Sequence, residues 1–189
     1  MKKQEIRLSG TGGQGLVLAG RILGEAATMY ENLYAVQKQS YGPEARGGAC
    51  RSDVILAEGE VDFPYIDEMD LLLAMSQESY NNYVGKLRPE GILVVDKLFV
   101  QTDSQPSGRL SYSLDFTRLA RNTLKNEIVA NIIALGSVIT ILGGISRESV
   151  LKVLGERTPP KFFAVNTAAL DLGISLVKDT RALNATLGR

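Results

Sequence analysis

An α/β fold, a single doubly wound Rossmann-like domain with a mostly parallel sheet and helices on both faces, follows from three observations. The alternating run Glu5-Ile6-Arg7-Leu8 leads through "SGTGGQG" (residues 9–15) into the helical-looking "LVLAGRILGEAATMY". The run "DLLLAMS" is continuously apolar, the pattern of a strand covered on both faces. Strand-like and helix-like stretches go on alternating after it.

Taken in order, each element has its own signal. The first strand is the run around Glu5–Leu8, closed by the glycines. In the first helix Leu16, Ala19, Gly20, Leu23, Ala26, Ala27 and Tyr30 fall at helical spacing. Much of that face is small, which lets a helix lie close on a sheet. Leu33-Tyr34-Ala35-Val36 reads as a second strand, and "CRSDVILAEG" alternates and reads as a third. Glu58-Gly59-Glu60 is expected to turn that strand back into a short partner, "VDFPY". After "DLLLAMS", "QESYNNYVGKL" reads as a short helix, and "RPEGILVVD" as a turn into another buried strand. A polar loop from Gln101 to Arg109 precedes a last strand, "LSYSL". The remainder is helical. One helix ends near Gly143-Gly144, and another starts at Ser146 as N-cap with Glu148 in its first turn. A third follows Pro159-Pro160. There is no repeat, linker or second domain, so residues 1–189 are expected to form one domain.

Composition excludes several function classes. The chain has 189 residues, with 21 lysines plus arginines against 21 aspartates plus glutamates. Zero net charge gives no bulk attraction for a nucleic-acid backbone, so any anion site must be local. There is one cysteine, Cys50, which rules out an internal disulfide and any cysteine-built cluster or zinc centre within one copy. There is no histidine, the commonest general acid–base and metal ligand. No catalytic or metal-ligating residue is assigned. The N-terminus "MKKQEIRLSG" has no long apolar segment, and "IVANIIALGSVITILGG" is interrupted by Asn131, Ser137 and Thr140. That segment is expected to be a buried helix of a cytoplasmic protein with no membrane span.

Gly10, Gly12 and Gly15 match G-x-G-x-x-G between a strand and a helix. Glycines allow the tight turn and let the backbone approach a ligand, and free N–H groups at a helix start favour negative charge. A tight turn with no ligand gives the same pattern. A nicotinamide enzyme should show Asp or Glu about twenty residues on, at the end of the second strand. Here that strand runs into Gln37, Lys38, Gln39 and Ser40, and the first carboxylate is Glu44, beyond Pro43. The loop also lacks the Gly-Lys-Ser/Thr ending of a nucleoside-triphosphate loop.

The second concentrated stretch is "QSYGPEARGGACR", residues 39–51. Arg46 precedes Gly47 and Gly48, and an arginine beside exposed backbone can reach a phosphate, a carboxylate or a partner subunit. A surface turn with a solvated arginine is the competing reading. In a doubly wound sheet the loops after the first and second strands share the carboxyl edge, where they can converge on one ligand.

These residues, in order, resemble the gamma subunit of 2-oxoacid:ferredoxin oxidoreductases. The resemblance is carried by "SGTGGQG", "SYGPEARGG", "AMSQESYNNYVGKLRPEGILVVD", "NIIALG" and "VNTAALDLG". The "GPEARGG" stretch is more similar to the 2-oxoglutarate type than to the indolepyruvate type; pyruvate and branched-chain enzymes stay open. The resemblance implies oxidative decarboxylation of a 2-oxoacid to acyl-coenzyme A and carbon dioxide, with reduction of ferredoxin. It implies a complex using thiamine diphosphate, magnesium, iron–sulfur clusters and coenzyme A. The partners it implies are alpha, beta and ferredoxin-like delta subunits, and ferredoxin through them. This chain has no thiamine motif and too few cysteines for a cluster, so it is expected to bind none of these redox cofactors alone and to be inactive alone. Its expected share is coenzyme A access and assembly. Gly10, Gly12, Gly13, Gln14, Gly15, Arg46, Gly47 and Gly48 are the candidate coenzyme A contacts, or else contacts between subunits. The isolated chain has a homodimer open to it. A stand-alone nucleotide-cofactor oxidoreductase and a non-enzymatic scaffold are the alternatives.

Four further residues have weaker signals. Asn131 in its apolar helix needs hydrogen bonds, as a motif position or as a core amide capping a nearby loop. Asp96 falls at a strand end, where a helix or turn cap is expected. Cys50 reads as a small strand side chain, and Asn166 as a helix-packing residue within the last motif.

Overall fold

The computed structural model describes residues 3–41, 49–102 and 110–186. Their elements run β1 (Gln4–Thr11), α1 (Leu16–Tyr30), β2 (Tyr34–Tyr41), β3 (Ala49–Ala57), β4 (Met69–Ala74), α2 (Gln77–Tyr83), β5 (Leu87–Asp96), β6 (Ser111–Leu114), α3 (Phe116–Asn122), α4 (Ala130–Leu142), α5 (Arg147–Arg157) and α6 (Phe163–Thr186). Short 3-10 turns precede β5, α4 and α6.

The six strands form one sheet in the order β2-β3-β1-β4-β5-β6. β1, β4, β5 and β6 pair in parallel, and β3 is antiparallel to both β1 and β2. β2 therefore points the same way as β1, and β3 alone is reversed. β2 and β3 form a hairpin in which Tyr41 pairs with Cys50. That hairpin places β3 in the slot a strictly parallel fold would give to β2.

The expected strand "VDFPY" does not form: β3 ends at Ala57, and residues 61–65 are irregular. The reason is topological. Both edges of β3 are occupied, with Leu56 paired to Gln4 of β1 and to Ala35 of β2, so no edge is left for a returning partner. Pro64 would also lack a ladder donor. The turn expected at Arg88-Pro89-Glu90 is absorbed as an irregularity in β5. Leu87 pairs with Met69, while the next register pair is Leu71 with Ile92.

Helices cover the two faces unequally. On one face Ile6, Leu8, Val54, Leu56, Leu71, Leu73 and Val94 meet α1, α4, α5 and α6 in one apolar cluster. There α4 is buried almost all round, as a central helix must be when its sequence is apolar on every side. On the other face Ile55, Met69, Leu72, Leu93 and Val95 are covered by Tyr80 of α2, Ile66 and Val100. Among the described residues no helix is long and apolar enough to cross a membrane.

Where helices approach closely, glycine lets them. A Cβ on Gly173 of α6 would lie 1.9 Å from the Ile133 carbonyl oxygen of α4, and one on Gly136 would lie 2.3 Å from the Leu170 oxygen. Ser137 Oγ donates to the Gly173 carbonyl at 2.8 Å, closing the same contact.

Candidate active-site edge: the glycine loop and its crevice

The sheet order reverses between β1 and β4. From β1 the chain moves through α1 towards β2, and from β4 it moves through α2 towards β5. In open α/β sheets a crevice opens at the carboxyl ends of the strands at such a point. The glycine loop, residues 9–15, lies there.

The loop is held by side chains rather than left open. The Gln14 amide oxygen accepts from Thr11 N at 2.7 Å, and its Nε2 donates to the Met75 carbonyl at 3.0 Å. Gln14 N also donates to the Thr11 carbonyl at 3.2 Å, and Met75 N to the Ser9 carbonyl at 2.8 Å. Gly15 is the N-cap of α1, in the left-handed region with φ 74 and no side-chain cap. Asn131 Nδ2 donates to its carbonyl at 3.0 Å. Leu16, Val17 and Leu18 begin the helix, where N–H groups have no intrahelical acceptor and the helix dipole favours negative charge.

A cavity of about 280 Å³ opens over this loop, lined by Gly13, Gln14, Met75, Thr117, Glu127, Ile128 and Ala130. It collects the starts of α1, α3 and α4 as well as the end of β4. No acid lies in the first turn of α1. Glu127 is held by Arg121 through two contacts of 2.6 and 2.7 Å, so its charge is largely compensated. Asp96 forms the floor behind Thr117. Its carboxylate is fully buried and accepts from Leu98 N at 3.1 Å, from Thr117 N at 3.1 Å and from Thr117 Oγ1 at 2.5 Å. Burial pushes this carboxyl above the usual range, against the pull of the Thr117 donors. Asp96 thus caps α3 from the end of β5, the cap role its position suggested.

Ile128, 78% exposed, separates this cavity from a second of about 190 Å³. The second is walled by Leu18, Val129, Ile132, Pro159 and Phe162, with Asn131 and Asn166 also on its lining. Asn166 is 6% exposed.

Of the expected site residues, the structure brings Gly10, at the end of β1, together with Gly12, Gly13, Gln14 and Gly15 of the loop that follows. Arg46, Gly47 and Gly48 lie outside the described residues; their anchors, Tyr41 and Ala49, stand at the same carboxyl edge. Gln37, near where a nicotinamide enzyme would place an acid, instead donates to the Val17 carbonyl at 2.9 Å and to Ser52 Oγ at 2.8 Å. Cys50 is buried, and burial pushes its thiol up, away from reactivity.

Sequence reasoning missed one polar cluster on the thinner face. Arg7, 2% exposed, donates to both oxygens of Asp53 at 2.6 and 2.8 Å and to the Ile66 carbonyl at 3.1 Å. Its guanidinium lies 4.7 Å from the centre of the Tyr83 ring. An alternating strand with a charge at every second position signals one wet face, and nothing in that pattern says that a loop covers it.

Among the described residues there is no group of three or more His, Cys, Asp or Glu side chains that could hold a metal ion. The described edge presents backbone N–H groups, the Gln14 amide, Thr117 and the Arg121-paired Glu127 between apolar walls.

Comparison with known proteins agrees with this architecture. The family model described as pyruvate ferredoxin/flavodoxin oxidoreductase matches residues 5–176. The 2-oxoglutarate synthase subunit KorC of Methanocaldococcus jannaschii is 42% identical over 178 residues, covering 94% of this chain and 95% of its own. A keto/oxoacid ferredoxin oxidoreductase gamma subunit from Geobacter sulfurreducens superposes with a TM-score of 0.85 at 40% identity, covering 95% of this chain and 98% of that one. The 2-oxoglutarate:ferredoxin oxidoreductase of Magnetococcus marinus, solved with 2-oxoglutarate, coenzyme A and succinyl-CoA bound, shares the fold. Its TM-score is 0.86 at 24% identity, over 95% of this chain and 32% of that longer one. Motif order, sheet topology and these likenesses agree: the chain belongs to the pyruvate ferredoxin/flavodoxin oxidoreductase family, among its gamma-type subunits.

Proposed function

We propose that this chain is the gamma subunit of a 2-oxoglutarate-type 2-oxoacid:ferredoxin oxidoreductase, with residues 1–189 acting as one cytoplasmic domain. The complex converts a 2-oxoacid and coenzyme A to acyl-coenzyme A and carbon dioxide while reducing ferredoxin. Alpha, beta and ferredoxin-like delta chains hold the thiamine diphosphate, magnesium and iron–sulfur clusters. One cysteine and no histidine in this chain support that division. When bound there, thiamine supplies the carbanion chemistry and the clusters take up the electrons.

This chain's share is to receive coenzyme A at the crevice over the glycine loop. The observation that carries the reading is Gly13. It has φ 97, lies exposed on the cavity lining, and a Cβ there would meet nothing within 4 Å. Its backbone can thus meet a ligand directly, beside helix starts that favour a phosphate. Arg46, with Gly47 and Gly48, supplies the charge that the described lining lacks.

The test uses the complex purified from its native host. Co-elution with thiamine- and cluster-bearing chains is expected. Gly13→Val and Arg46→Ala should each raise the KM for coenzyme A about tenfold, the loss of roughly one charge-assisted contact, with assembly intact. Loss of assembly with an unchanged KM in the remaining complex would instead make both loops subunit contacts.

A further inference from the structure

We infer that Gln14 and Asn131 are positioning residues: each holds the glycine loop in place through its amide. The inference rests on the proposed coenzyme A reading only for its effect on KM.

The geometry assigns these roles through the glycines themselves. A Cβ at Gly10 would lie 2.2 Å from Gln14 Oε1 and 2.8 Å from Leu16 Cδ1. Gly10 is glycine because the Gln14 side chain folds back over it. That side chain is used at both ends, by Thr11 N and the Met75 carbonyl, and so ties the end of β1 to the end of β4 across the switch point. A Cβ at Gly15 would lie 2.4 Å from Asn131 Nδ2. Gly15 is glycine for two reasons: its positive φ, and the amide of α4 that takes the place of a side chain. The first and third glycines of the motif are thereby explained without a ligand. Only the Gly12–Gly13 segment is left to face one.

Two amides from two directions therefore set where the Gly13 backbone and the start of α1 point. Asn131 also lines the second cavity, so the helix layer and the loop share one hydrogen-bonding group. A loop held this way pays little ordering entropy when its ligand arrives. Without a clamp, it should sample other conformations before binding.

The experiment compares Gln14→Ala and Asn131→Ala with wild type in the assembled complex. Hydrogen exchange of the peptide spanning residues 9–16 is followed without coenzyme A. Each variant should exchange there about tenfold faster, the effect of losing one or two hydrogen bonds, while β4 and β5 stay protected. The KM for coenzyme A should rise with kcat within about twofold. Unchanged exchange of residues 9–16 in both variants would overturn the inference, whatever the kinetics. If Gln14→Ala fails to assemble, Asn131→Ala decides it through the other clamp, and Gln14→Met keeps the volume over Gly10 while removing the amide. Gly13→Val separates the two claims. No KM change there removes the coenzyme A reading, and loop exchange still judges the clamps.

Discussion

At the scale of single residues, the Arg7–Asp53 pair has the highest energetic stake outside the site. Both groups are nearly out of water, and the pair is bidentate, with a third bond from Arg7 to the Ile66 carbonyl. Tyr83 covers the guanidinium. Removing one partner strands a buried charge, which typically costs about 3–5 kcal/mol. Asp53→Ala should thus lower stability by that order, measured by denaturant unfolding. The double change Arg7→Met with Asp53→Leu should cost less than Asp53→Ala alone, because the only charge left without its partner is the partly exposed Arg51. Equal costs would show that packing rather than charge dominates. The contrast with Gln14 is instructive. Gln14 is a short-range amide whose partners lie 3 and 61 positions away, and the first of these was within reach of the sequence. The site's glycines were legible as a motif. That Gly15 accommodates the protein's own amide was not, because Asn131 is 116 positions away.

At the scale of elements, α4 and α6 meet backbone to backbone at Gly136 and Gly173. A methyl group at Gly173 would fall 1.9 Å from the Ile133 oxygen and 2.8 Å from its carbon, so the helices must separate. Overpacking of this kind costs about 1–3 kcal/mol, against the fraction of a kcal/mol that alanine gains in helix propensity. Gly173→Ala should lower the melting temperature, whereas Gly155→Ala, where the nearest atom is Phe163 Cε2 at 3.5 Å, should be neutral or stabilising. Equal shifts for the two would refute a backbone contact as the cause. Elements were legible in proportion to how local their signals are. Ser146 caps α5 by accepting from Ser149 N at 3.1 Å, and α4 is the buried helix its apolar run predicts. The false strand at residues 61–65 had local alternation in its favour. What excluded it was the pairing of β3 on both edges, a fact of the whole sheet that no short window contains.

At the scale of the whole molecule, carboxylates tie separate elements together, and α5 is the main beneficiary. Glu31, at the end of α1, accepts from Ser146 N at 2.8 Å and from Ser149 Oγ at 2.6 Å. Those bonds hold its carboxyl below the usual glutamate range. Asp171 of α6 is lowered by Arg147. In Glu25 of α1 burial pushes the carboxyl up, and Arg157 and Arg21 together outweigh it. In Glu5, likewise, burial is outweighed by Lys3 and Arg88, the latter bridging to Asp70 across β1, β4 and β5. A carboxyl whose pKa is lower in the folded state binds fewer protons folded than unfolded. Its stabilisation is complete above its unfolded pKa and fades as pH falls through the folded value. These four carboxyls should therefore make stability decline once pH drops below about 4.3, the ordinary glutamate value, while Asp96, raised by burial, acts in the opposite direction. Glu31→Gln should be less stable than wild type at pH 7, and the difference should shrink as acid protonates Glu31 in the wild type. Salt should weaken the Glu25 and Asp171 bridges, which are partly exposed, more than the Glu31 cap, which is made of neutral donors. Thermal melts of both proteins across this pH range, at low and high salt, decide the point. A gap that stays constant into acid would mean that Glu31 acts by shape and not by charge. The link between α1 and α5 would then rest on the Glu25–Arg157 pair and apolar packing.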